Sequence, residues 1–167
     1  MTDKYVNTTF ISGSTLLKRM PNINVGTELH VAYETYEVAA ADADADVHRI
    51  FKGLDPCIIP IAILVATDGI TGATVYDLGI YETNLGAVVD ADAFAANMDL
   101  SSAVDLGFLT ALDGMDAVAI ENYGRKLFEH AGHTEANKRG SYDIAFTLDT
   151  AGTGAGTLAV LMLYAQG

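Results

Sequence analysis

The chain has 167 residues, half of them hydrophobic, so a single domain can close a core without covalent help. One cysteine, Cys57, excludes an intrachain disulfide, a CxxC redox pair and a cysteine zinc site. A formal charge of −13 argues against nucleic acid or an anionic membrane as partner, because affinity for phosphates comes mainly from clustered Lys and Arg.

No run reaches the roughly 18 apolar residues of a spanning helix, and Met1-Thr2-Asp3-Lys4 lacks the basic-then-apolar layout of a signal peptide. The expectation is a soluble, unsecreted protein. Cys57 lies in the apolar run Cys57-Ile58-Ile59-Pro60-Ile61, where nothing lowers a thiol pKa, so a buried inert thiol is expected.

Residues 1–26 show neither period 2 nor period 3.6 and read as an extended arm ahead of a domain spanning 27–167. The arm carries Tyr5, Val6, Phe10, Ile11, Leu16, Leu17 and Met20, more apolar bulk than a solvated tail needs. Lys4, Lys18 and Arg19 against Asp3 give it a charge of +2, while residues 27–167 hold six basic and 21 acidic residues, a charge of −15. A weakly basic, apolar arm before an acidic body suits docking on an acidic surface of its own or a neighbouring subunit, with Lys4, Phe10, Ile11, Leu16, Leu17, Lys18 and Arg19 as the contact residues.

From Thr27 the pattern alternates, Leu29, Val31 and Tyr33 pointing one way and His30, Ala32, Glu34 and Tyr36 the other, which predicts a strand. Ala39 to Asp46 reads as an acidic turn and Val47–Lys52 as a short strand. Ile58 to Thr67 is apolar throughout and Ile-rich, predicting a strand buried on both sides with Pro60 near its start. After the turn Asp68 to Gly72 comes a strand over Ala73–Tyr81, and another begins at Gly86-Ala87-Val88-Val89. Asp113 to Gly132 departs from this rhythm: Asp116 can cap, Ile120, Tyr123, Leu127 and Phe128 have partial helical spacing, and Gly132 can terminate. A helix interrupted near Gly124 is expected there. Tyr142, Ile144, Phe146 and Leu148 then alternate with polar residues, placing those four on a core and Asp143 and Asp149 outside. Thr157–Ala165 follows a Gly-rich turn and should complete a hairpin, with those glycines at positive φ.

Candidate chemistry is sparse. Asp42, Asp44 and Asp46 begin like a calcium loop, but its sixth position is Val47 instead of Gly and its twelfth Gly53 instead of Glu, so a solvated acidic turn is expected. His130 and His133 are spaced i,i+3, without HExxH and with Gly132 between them. Gly152-Thr153-Gly154-Ala155-Gly156 precedes a strand where a dinucleotide loop would precede a helix. Asp90 and Asp92 share a strand face with no visible means of separating their pKa values. No catalytic residue, cofactor or metal is therefore predicted, and the chain reads as a non-enzyme.

The stretch Thr67-Asp68-Gly69-Ile70-Thr71-Gly72-Ala73-Thr74-Val75-Tyr76-Asp77-Leu78-Gly79-Ile80-Tyr81, with Gly86-Ala87-Val88-Val89-Asp90-Ala91-Asp92 and Tyr142-Asp143-Ile144, resembles the head decoration, or cement, proteins of tailed bacteriophages. The resemblance covers residues 38–165 and omits the arm. It implies a jelly-roll body seated over joints between major capsid subunits, on the capsid exterior of the virion. It also implies a homo-oligomer, trimer favoured and dimer possible, whose partners are the major capsid protein and copies of itself. No functional residue carries over from it. The predicted architecture is thus all-β, an antiparallel β-sandwich of jelly-roll type with an extended N-terminal arm and a short helical insertion. The rival reading is a carbohydrate-binding jelly roll, for which eight Tyr offer stacking rings although Trp is absent. Because the acidic turn lacks the rest of a calcium loop, EDTA should leave the melting temperature nearly unchanged; a large drop reversed by calcium would make Asp42, Asp44 and Asp46 ligands.

Overall fold

The computed structural model describes residues 28–73, 75–134 and 140–166. The arm and its seven candidate contact residues lie outside the described residues. Among the described residues eight strands run in chain order: β1 (Leu29–Val38), β2 (Val47–Leu54), β3 (Ile58–Thr67), β4 (Val75–Glu82), β5 (Val88–Met98), β6 (Leu112–Asp113), β7 (Tyr142–Thr150) and β8 (Gly156–Gln166). They form two four-stranded sheets, ordered β1-β8-β3-β6 and β2-β7-β4-β5, and every pairing is antiparallel.

The pairings β1 with β8, β2 with β7, β3 with β6 and β4 with β5 nest inside one another, as if the chain were one long hairpin closed at the β4–β5 turn. Rolling that hairpin up adds β3 against β8 and β4 against β7, which is the jelly-roll arrangement predicted from the sequence. One expectation fails here. β7 and β8 are not a hairpin: they belong to different sheets, and the glycine-rich segment between them crosses the sandwich. Its glycines do not adopt positive φ either. They are small because the 68–72 turn packs on them; a Cβ on Gly152 would stand 2.6 Å from Ile70 Cγ2, and one on Gly156 2.8 Å from Asp68 Oδ1. Hydrogen bonds hold the two segments together, among them Thr153 N to Thr71 O at 2.8 Å, Thr157 N to Asp68 Oδ1 at 2.8 Å and Asp68 N to Thr157 O at 3.3 Å.

Between the sheets lies the core. Tyr142, Ile144, Phe146 and Leu148 are all fully buried, as alternation predicts, and meet Ile63, Val65, Leu158, Val160 and Met162 from the other sheet. Tyr76, Leu78 and Ile80 of β4 complete the layer. β5 bulges past β4: a step of two positions on β4, from Leu78 to Ile80, is matched by a step of five on β5, from Ala95 to Asp90. That bulge brings the carbonyls of Asp90 and Ala91 so close to Gly79 that no Cβ fits.

The 113–132 region holds less helix than predicted. It contains Asp113 at the end of β6, a 3-10 turn at Ile120–Asn122 and one four-residue helix, α1 (Leu127–His130). Gly124 does interrupt it, at φ +84°, and Gly132 ends α1 at φ +74°. Asp116 is not the cap. The Glu129 carboxylate instead accepts a hydrogen bond from Lys126 N at 2.8 Å ahead of α1. Leu127 and Phe128 are apolar because they plug the sandwich, so their spacing records burial and not a long helix.

β3 is also corrected. Ile58, Pro60, Ile63, Val65 and Thr67 are buried, but Ile59, Ala62 and Leu64 are only partly covered and Ile61 is exposed. β6 pairs only Leu64 and Val65, so Pro60 sits where β3 has β8 alone beside it, next to a slip in register before Ala62.

Asp143 overturns the simplest pattern rule. It faces away from the core as its alternation requires, yet it is 1% exposed. Arg49 of β2 covers it, pairing at 2.7 Å, and also donates to the carbonyls of Glu82 at 2.6 Å and Gly86 at 2.7 Å. Gly53 N donates to the second Asp143 oxygen at 2.8 Å, and the guanidinium lies 5.2 Å from the Tyr81 ring centroid. Removing one partner of a buried pair strands the other charge. Arg49→Met should therefore destabilise the fold by about 3–5 kcal/mol in denaturant titration. The double variant Arg49→Met with Asp143→Leu should be more stable than Arg49→Met alone; equal or lower stability would refute the pairing as the cause.

Candidate functional site

The two outer faces of the sandwich differ in chemistry. On the β1-β8-β3 sheet, register sets Leu29 beside Ala165 and Ile59, Val31 beside Leu163 and Ala62, and Tyr33 beside Leu161 and Leu64. Thr35 and Ala159 extend the surface by another row, at whose β3 end Ala66 is already buried. Leu29, Val31 and Tyr33 are 61%, 60% and 53% exposed, so the apolar half of the β1 alternation points to solvent. Its other half is His30, Ala32, Glu34, Tyr36 and Val38, of which Val38 is buried, Glu34 exposed and the rest partly covered. The face runs into a groove of about 240 Å³ lined by Ile61, Leu64, Phe108, Met115 and Tyr123, among others. Phe108 is 73% exposed there.

The other sheet presents acids. Asp77, Asp90, Asp92 and Asp149 lie on β4, β5 and β7, and Asp44 reaches in from the acidic turn. Burial and then the charge and hydrogen bond of Asp77, with Asp44 and Asp92 behind it, push the Asp149 carboxyl up. The Asp90 carboxyl is pushed up by burial and then by a hydrogen bond and the charge of Asp92. Beside it lies a polar cleft of about 330 Å³ that includes Asn122, Arg125, Glu129 and His130. Among the described residues its only lining ring is that of His130, with no Tyr or Phe on which a sugar would stack.

The acidic turn is structural. Asp42 accepts from Ala39 N and Asp46 from Ala43 N, each at 2.8 Å, while Asp44 accepts from Ala151 N at 2.9 Å and ties the turn to the β7–β8 crossover. Among the described residues no group of three or more His, Cys, Asp or Glu is placed to hold a metal ion. No helix among them is long and apolar enough to cross a membrane. His130 and His133 diverge, His130 lying 5.3 Å from the Phe94 ring and His133 stacking at 6.4 Å on Tyr142. Cys57 is partly buried, with its backbone N bonded to Asp55.

His48 is the buried titratable group of this end. It is 4% exposed, its Nε2 is 3.4 Å from Asp42 Oδ2, its Nδ1 has no partner among the described residues, and its ring lies 4.5 Å from that of Tyr36. Burial lowers its pKa, outweighing the opposing pull of Asp42 and Asp46.

No family model matches the sequence, and no curated protein matches it. Among solved structures, a chain of the cyanophage Pam1 capsid asymmetric unit is similar, with a TM-score of 0.52 and 16% identity over 89% of this chain and 92% of that one. At that identity the likeness is one of fold.

The unfolded chain binds a proton at His48 at higher pH than the folded one does. Stability should thus be undiminished by this group above about pH 6.5 and fall as pH drops below it. His48→Gln should flatten the melting-temperature profile between about pH 7.5 and 5.5; an unchanged slope would show that His48 does not set it.

Proposed function

We propose that this chain is a structural subunit of a phage virion, a decoration or cement protein on the capsid exterior that binds the major capsid protein and copies of itself. The observation that carries the reading is the fold likeness, across nearly the whole chain, to a component of the cyanophage Pam1 capsid unit. Three features of the chain support it. One sheet face is apolar and exposed, as a subunit that works by burying surface between neighbours requires. The opposite face is acidic, which keeps a bound subunit soluble and disfavours contact with packaged nucleic acid. The arm offers Phe10, Ile11, Leu16 and Leu17 with three cations to engage acidic surfaces.

In this reading the protein is not an enzyme: it acts by adding contacts across joints in a shell, and a trimer or dimer supplies several such contacts at once. Mixed with shells assembled from the major capsid protein of its own virion, the chain should co-sediment to a fixed copy ratio and raise the shell's melting temperature. Deleting residues 1–26 should leave a β-rich circular dichroism spectrum and greatly weaken that binding. Absence of co-sedimentation by the full chain, with selective binding on a glycan array, would replace this reading with the carbohydrate-binding one.

A further inference from the structure

We infer that the outer face of the β1-β8-β3 sheet is the seat of the N-terminal arm of a second copy of this chain. The inference rests on the reading above and names the partner for its self-association. The face is three strands wide, and its apolar rows run from Leu29 to Tyr33, roughly 250 Å² before the groove is added. Soluble monomers rarely expose more than a few hundred Å² of apolar surface in one piece. Yet it falls short of the roughly 800 Å² per partner of a standard interface, so two copies stacked face to face would be weakly held. An apolar segment laid along the face, with further contacts from the groove at Phe108 and Tyr123, suits its dimensions better.

The occupant is chosen by composition, charge and reach. Phe10, Ile11, Leu16 and Leu17 supply side chains of the kind the face would bury. The arm is cationic, and the charged residues at the margins of the face, Glu37 and Asp113, are acidic. Reach argues for another copy's face over the chain's own. Leu17 stands 12 residues before Leu29, so on an extended path it lies roughly 40 Å from the start of β1, and Phe10 lies roughly 65 Å away. The face itself is only about 33 Å long. A segment turning straight back over its own sheet would lay only Ile23 and Val25, or only Asn22 and Asn24, on the apolar rows and carry Phe10, Ile11, Leu16 and Leu17 past the end.

The test uses two full-length variants and light scattering. Val31→Lys with Tyr33→Lys spoils the face at positions more than half exposed, and Phe10→Ser with Leu17→Ser spoils the arm. Wild-type chain should form a defined oligomer, and each variant alone should self-associate at least roughly a hundredfold more weakly. An equal mixture of the two variants should form a two-chain complex, because one supplies a sound arm and the other a sound face. If circular dichroism shows that the lysines unfold the edge strand, Val31→Thr with Tyr33→Thr is read in their place. A monomeric wild type, a mixture that stays monomeric, or a face variant that associates like wild type would each overturn the inference. Shell co-sedimentation of the same proteins separates the two claims: association as described without shell binding sinks only the virion reading, and shell binding by a strictly monomeric chain sinks only arm exchange.

Discussion

The Arg49–Asp143 pair is the contact on which the second sheet depends. Asp143 lies on β7, between β2 and β4, and its carboxylate is out of water although it points away from the core. A bare carboxylate there would be costly, and the Arg49 guanidinium offsets that cost while its own N–H groups bond to Asp143 and to the carbonyls of Glu82 and Gly86. Those carbonyls flank the β4–β5 turn, the closed end of the nested hairpin. One side chain thereby ties β2, β7 and that turn together. Tyr81 adds to the same cluster, its hydroxyl bonded to Thr147 and its ring beside Arg49.

The other end of the sandwich is held by carboxylates acting as backbone acceptors. Asp44 and Asp68 both reach the β7–β8 crossover, Asp44 through Ala151 N and Asp68 through Thr157 N. Much of the acidity that suggests a calcium loop is thus spent on closing turns. What remains collects on the β2-β7-β4-β5 face, where Asp149 and Asp90 hold their protons more tightly than isolated carboxyls would. Among the described residues, one outer sheet face is apolar and the other anionic.

Local patterning made most strands legible. Period-2 alternation located β1, β4 and β7, and turn residues bounded them, because a half-buried strand must alternate and a turn must be small or polar. It failed where burial was set by something distant in sequence. Asp143 reads as a solvent residue until Arg49, 94 positions away, is placed over it. The short strand β6 has too few residues to show a period, and the β5 bulge breaks the alternation that would have extended that strand to Met98. Leu127 and Phe128 mimic a long helix because a plug for the sandwich needs apolar residues in any conformation.

The candidate site was less legible than the fold. The alternation of Leu29, Val31 and Tyr33 was plain in the sequence, but a single strand does not say which of its faces meets the core. The usual assumption would have turned those residues inward. Pairing with β8 decided otherwise, because Leu161 and Leu163 stand in the same rows and the opposite side of β8 already fills the core with Leu158, Val160 and Met162. Sequence by itself determined the all-β class, the turn positions, the acidic body and the lack of a catalytic motif, since each follows from residue type and short-range spacing. Tertiary structure alone decided which sheet each strand joined, which carboxylates were buried and which apolar rows were left uncovered, since those depend on neighbours that the chain brings together only by folding.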